Sequence, residues 1–104
     1  MKRKPLNFEL INQTALTYST PILKRWLPDG YLRGAEYVAR NPKRNDRKAG
    51  SFSINVSNGL WKDFATNDSG KGFISLASYL FDKNSYLAAN ELANMLGIED
   101  VRYV

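Results

Sequence analysis

Cysteine and histidine are both absent from this chain of 104 residues. They are the two commonest zinc ligands, so a structural tetrahedral zinc site of the usual kind is excluded. Disulfides are excluded as well, and so are the thiol–imidazole and hydroxyl–imidazole pairs of nucleophilic catalysis. Ten scattered acids include no repeated Asp-x-Asp of the sort that metal-dependent nucleotidyl transfer requires. No apolar run approaches the roughly 20 residues needed to span a bilayer. Met1-Lys2-Arg3-Lys4 leads into Pro5 and a mixed segment, not into the apolar core of a signal peptide. The expectation is a soluble, cytoplasmic, non-enzymatic domain with no cofactor, no membrane partner and no small-molecule substrate.

The length fits a single domain over residues 1–104, at a size where a metal-free core depends on helical packing. Charge is unevenly placed. Residues 1–48 hold 11 Lys/Arg against 4 Asp/Glu, whereas residues 49–104 hold 4 against 6. A basic half of this kind is the footprint of a polyanion-binding face, although charge clusters also serve only to hydrate a surface.

Hydrophobic spacing predicts a helix over residues 6–19, with Leu6, Phe8, Leu10, Ile11, Ala15, Leu16 and Tyr18 as its apolar set. Ser19-Thr20-Pro21 then offers a cap with Pro at the first helical position of a short helix, Pro21 to Leu27. Trp26 is expected to pack that helix against a sheet. Pro28-Asp29-Gly30 reads as a turn and Tyr31 to Arg40 as one extended run. Ser51 to Ser57 alternates strictly, placing Phe52, Ile54 and Val56 on one face. Asn58-Gly59 suits a two-residue type I′ hairpin turn, which would set Val56 opposite Trp61 and Ile54 opposite Asp63. Phe73, Leu76, Ala77, Leu80 and Phe81 form a helical stripe from about Gly72 to Phe81. Ser85 caps a last helix lined by Ala88, Leu92 and Met95, which Gly97 and Ile98 close. The fold class is therefore α+β, a small antiparallel sheet packed against N-terminal and C-terminal helices.

Chemistry concentrates in few places. Arg40, Lys43, Arg44, Arg47 and Lys48 crowd a segment whose only apolar side chain between Asn41 and Gly50 is Ala49, so it cannot bury itself. Cations spaced in this way meet phosphates and release counterions without reading sequence, or they merely keep a loop solvated. Phe64 shares a face with Ser53, Asn55 and Lys62, where a helix covers it or a base stacks on it. Tyr37 is open in the same sense. Ser69-Gly70-Lys71-Gly72 precedes a helix but is not a nucleotide-binding loop, because Ala65 and Gly72 stand where that motif needs Gly and Ser or Thr. It is either a turn or a place where Lys71 and helix N–H groups hold one phosphate.

Three blocks in order carry a resemblance. They are Asn41-Pro42-Lys43-Arg44, the strand Ser51-Phe52-Ser53-Ile54-Asn55, and Asp63-Phe64-Ala65-Thr66 followed by Ser69-Gly70-Lys71-Gly72. Over about residues 6–98 the chain resembles the zinc-ribbon domain of bacterial primases with its knuckle ligands replaced. It is closer to the cysteine-free N-terminal domain of phage and plasmid primase-helicases, through Glu36-Tyr37-Val38-Ala39, Trp61-Lys62-Asp63-Phe64-Ala65-Thr66 and Met95-Leu96-Gly97-Ile98.

The resemblance implies a zinc-ribbon-like, metal-free accessory domain of a mobile-element replication primase, binding single-stranded DNA or RNA beside a primase core, helicase or polymerase. The nucleic-acid-binding residues would be Arg40, Lys43, Arg44, Arg47, Lys48, Lys62, Phe64 and Lys71. The alternative is a protein-interaction module that docks on a replication protein. By the same resemblance Asp63 stands where a ribbon places a thiolate. A buried carboxylate there needs partners, expected near Lys62, from an Arg of the 40s or from N–H groups of residues 66–70.

Overall fold

The computed structural model describes residues 6–44 and 50–98. Helix α1 (Phe8–Thr17) starts at Asn7, whose Oδ1 accepts the Leu10 N–H at 3.1 Å and satisfies a first-turn donor. Helix α2 (Ser19–Trp26) begins two residues earlier than the sequence predicts. Tyr18 is its N-cap and makes no side-chain cap bond, so the cap expected just ahead of Pro21 is not used. Pro21 is accommodated because it still lies in the first turn, where an N–H has no intrahelical acceptor.

Five short strands follow: β1 (Tyr31–Arg33), β2 (Glu36–Ala39), β3 (Phe52–Asn55), β4 (Leu60–Asp63) and β5 (Ser69–Lys71), in one antiparallel sheet of order β1-β2-β3-β4-β5. The predicted single run from Tyr31 to Arg40 is in fact a hairpin, folded at Gly34. Of the segment 69–72, read as a turn or a place for one phosphate, Ser69–Lys71 is in fact an edge strand, β5, paired to β4.

The β3–β4 hairpin forms at the expected place with a different register. Ile54 pairs with Trp61, Ser53 with Lys62 and Phe52 with Asp63, a slip of two from the type I′ expectation. A type I′ turn needs two residues at positive φ, and Gly59 at +80° takes one such position while Asn58 does not take the other. Asn55 accounts for the longer loop. Its Oδ1 accepts the Ser57 and Asn58 N–H groups at 2.8 and 3.0 Å, and its carbonyl accepts the Gly59 N–H at 2.8 Å. Because the slip is even, every side chain keeps its face.

Helix α3 (Phe73–Phe81) buries Phe73, Ile74, Leu76, Ala77 and Leu80, while Phe81 of the predicted stripe is exposed. Helix α4 (Ser85–Leu96) is capped by Asn84 in place of the predicted Ser85, Asn84 Oδ1 accepting the Leu87 N–H at 2.9 Å. It ends on the left-handed Gly97, with the Ile98 N–H on the Ala93 carbonyl. Trp26 packs on α3, not on the sheet: its ring lies 6.1 Å from Phe73 and 5.6 Å from Phe81. Among the described residues no helix is long and apolar enough to cross a membrane.

Register assigns the two faces of the sheet. Leu32, Tyr37, Ile54, Trp61 and Gly70 form one row across it, with Ala39, Phe52 and Asp63 in the next row of that face. Tyr37, Ala39, Phe52, Ile54 and Trp61 belong to the same apolar core as the helices. Val56, predicted inward, is half-buried against it. Gly70 keeps this face closed over Trp61. A β-carbon on Gly70 would lie 2.7 Å from Cε2 and Cζ2 of the indole and would also strike Ser75 Oγ. Gly70→Ala should therefore lower stability by about 1 to 3 kcal/mol in urea denaturation, because a buried indole has nowhere to move.

Candidate nucleic-acid interface

Asp63 ends β4 on the inner face and is fully buried, as is Asn41 just after β2. Arg44 Nε donates to Asp63 Oδ2 at 3.0 Å, Asn41 Nδ2 to the same oxygen at 2.8 Å, and the Ala65 N–H to Oδ1 at 2.8 Å. Asn41 Nδ2 also reaches Tyr79 Oη at 2.9 Å, and that hydroxyl donates to Asp68 at 2.8 Å. Burial pushes the Asp63 carboxyl up, but the bonds from Asn41, Ala65 and Arg44 and the Arg44 charge outweigh it and hold the group below the usual carboxylate range. Burial raises the Tyr79 hydroxyl, and the Asp68 and Asp63 charges add to the effect, so it remains a donor.

This clasp joins the segment starting at Asn41 to the segment starting at Asp63, the two places where the zinc-ribbon resemblance sets its knuckles. Of the expected partners, an Arg of the 40s is used. The backbone donor is Ala65, just ahead of the 66–70 span, and Lys62 points to the other face. Beneath the clasp the rings of Trp61 and Tyr79 lie 4.7 Å apart, with Phe52 at 6.2 and 6.1 Å from them. Hydrogen bonds and aromatic packing thus connect two loops and α3 with no metal ligand. Among the described residues no group of three His, Cys, Asp or Glu is placed to hold a metal ion.

The opposite face of the sheet carries different chemistry. Tyr31, Val38, Ser53, Lys62 and Ser69 form one row, and Arg33, Glu36, Asn55, Leu60 and Lys71 lie in the next row of the same face. Phe64 continues this face past the end of β4, its N–H bonded to the Ser51 carbonyl at 2.7 Å. It is 65% exposed, and Lys62 Nζ sits 5.1 Å from its ring centroid, a cation–π geometry. The alternatives left open for Phe64 resolve to an uncovered ring. Tyr37 goes the other way: it is buried, and its hydroxyl donates to the Leu27 carbonyl at 2.7 Å.

The eight candidate residues do not form one cluster. Lys62, Phe64 and Lys71 share the outer face and line one cleft. Arg40 pairs with Asp29, Lys43 with Asp82 and Arg44 with Asp63, so each of these cations already answers an acid. Arg44 also donates to Ser51 Oγ at 2.6 Å, which makes it part of the clasp. Arg47 and Lys48 lie outside the described residues. Sequence reasoning missed Tyr31, Arg33 and Glu36, because Gly34 was not read as the turn that brings them onto this face.

No family profile and no curated protein sequence matches the chain. Among solved structures the fold is similar to that in the crystal structure of the Aquifex aeolicus primase (zinc binding and RNA polymerase domains), at 21% identity and a TM-score of 0.73 over 95% of this chain. The chain spans 24% of that one. The likeness establishes a shared α+β fold.

Proposed function

We propose that this domain is an accessory single-stranded nucleic-acid-binding module of a mobile-element replication primase system. It is non-catalytic itself and presents template to a catalytic core, helicase or polymerase. The observation that carries this reading is the outer sheet face, where an exposed aromatic ring and unpaired cations stand together. Lys62 and Lys71 make no ion pair with any described residue. Phe64 beside them offers a π-face to a base, and Tyr31, 47% exposed, stands across the sheet. Stacking platforms beside cations suit single strands, whose bases are free to unstack onto a protein surface.

Fluorescence anisotropy of a labelled oligonucleotide at several salt concentrations tests the reading. With about four phosphates neutralised, log K should fall against log salt with a slope near −3. Phe64→Ala should weaken binding by about 1 to 3 kcal/mol without changing that slope, and its exposure means that the fold survives the change. Lys62→Ala or Lys71→Ala should each flatten the slope by less than one unit. Absence of binding at low salt would instead favour docking on a replication protein. For that second reading there is a groove of about 520 Å³ on the helical side, with Trp26, Phe81, Leu92 and Met95 in its wall.

A further inference from the structure

We propose that the outer sheet face also discriminates among bases, with Glu36 as the specificity-determining residue and guanine as the base it selects. This rests on the single-strand reading above and adds a preference that charge and stacking alone would not produce.

Glu36 is a carboxylate in the wrong place for a simple phosphate binder. Glu36 faces outward from β2, between Arg33 and Asn55, on the face that holds Lys62, Lys71 and Phe64. A face that only neutralises phosphates loses attraction from an acid placed on it. The charge is not cancelled by a neighbour either, because Glu36 makes no ion pair with any described residue, the adjacent Arg33 included.

The carboxylate is instead held by two neutral donors. Ser53 Oγ donates to Oε1, and Asn55 Nδ2 donates to Oε2 at 2.6 Å. One donor on each oxygen fixes the plane of the group and leaves each oxygen a further lone pair, since an ionised carboxylate has about four acceptor sites. The half-buried Glu36 lines an open cleft of about 550 Å³ together with Ser53, Asn55, Lys62, Phe64 and Lys71. The cleft has room for a base, with a ring to stack on and cations for its phosphates.

A fixed carboxylate with both oxygens able to accept matches two parallel N–H donors. Guanine presents that pair on its Watson–Crick edge, N1–H beside the N2 amine. Adenine and cytosine present one amine beside a ring nitrogen acceptor, which would meet the second oxygen lone pair to lone pair. Thymine and uracil flank their single N–H with two carbonyls. The edge in question is occupied in a duplex, so the preference belongs to single strands.

The test uses the full chain and labelled thymidine tracts of equal length that carry two spaced central substitutions by guanine, adenine, cytosine or inosine. Guanine should bind about tenfold tighter than adenine or cytosine, with inosine, which lacks the N2 amine, in between. Glu36→Gln should abolish the preference while leaving affinity for the plain thymidine tract unchanged or higher, because a negative charge near the phosphates is gone. Ser53→Ala keeps the charge but frees the carboxylate to rotate, and should shrink the preference. Melting curves establish that both variants are folded. Equal affinity of the wild-type chain for all four tracts, or a guanine preference that survives Glu36→Gln, would overturn the proposal and leave the single-strand reading intact. Failure to bind any tract would overturn both.

Discussion

Asp63→Ala should lower the unfolding free energy by about 2 to 4 kcal/mol, a large share of the stability of a domain this small. The carboxylate is fully buried, so its loss strands the Asn41 amide and the Ala65 N–H without an acceptor, at about 1 to 3 kcal/mol for an unsatisfied buried group. Arg44 is less affected, since its side chain is 30% exposed and can return to water. Asp63→Asn should cost less, because the amide oxygen still accepts one of these bonds. The pH dependence has a definite sign. The Asp63 carboxyl titrates lower in the folded state than in the unfolded chain. Its contribution is therefore present above the unfolded value, near pH 4, and is lost as pH falls through the folded value. Urea midpoints measured between pH 7 and pH 3 should fall in acid for the wild-type chain, and less steeply for Asp63→Asn. An Asp63→Ala midpoint equal to wild type would mean that the clasp contributes nothing.

Leu76→Ala and Leu92→Ala should each cost about 2 to 5 kcal/mol, the range for deleting a buried leucine and leaving a cavity. Leu76 has no exposed surface and Leu92 is 2% exposed, one on α3 and the other on α4, within a single core. A sheet of three- and four-residue strands has little apolar surface of its own. The helices must therefore supply the burial that a metal provides in a zinc ribbon. Either variant is expected to be largely unfolded at physiological temperature, visible as a lost cooperative transition in circular dichroism. Cooperative melting near the wild-type temperature in both would show that the sheet and clasp sustain the fold alone.

The helices were legible in the sequence because their signal is local. The periodicity of α1 and α3 and the Gly97 stop marked them to within two residues at most ends, and the errors are capping choices. Ser85 competes with Asn84, which caps as well, whereas α2 starts at Tyr18 with no side-chain cap at all. The inward set Phe52, Ile54 and Trp61 was also legible, because alternation survives a register slip of two. The slip itself was not. It comes from the Asn55 side chain, which captures two N–H groups in the loop and leaves Asn58 out of the left-handed region. A local dipeptide rule does not contain that competition.

The candidate site divides in the same way. Composition by itself determined that no thiolate or imidazole holds this fold together, and the order of motifs singled out Asp63 as an acid in need of partners. Which partners that acid takes was decided by tertiary structure, because Asn41, Arg44, Ala65 and Tyr79 come together only when the strands and α3 are in place. The same step drew Arg44 into the clasp and paired Arg40 and Lys43 with Asp29 and Asp82. It also left Phe64, Lys62 and Lys71 on the uncovered side of the sheet. Side-chain type and spacing are local properties, whereas exposure and pairing depend on which face of the sheet the helices cover. That choice rests on burial of the apolar row from Tyr37 to Trp61, which leaves the opposite face to water apart from the buried Val38.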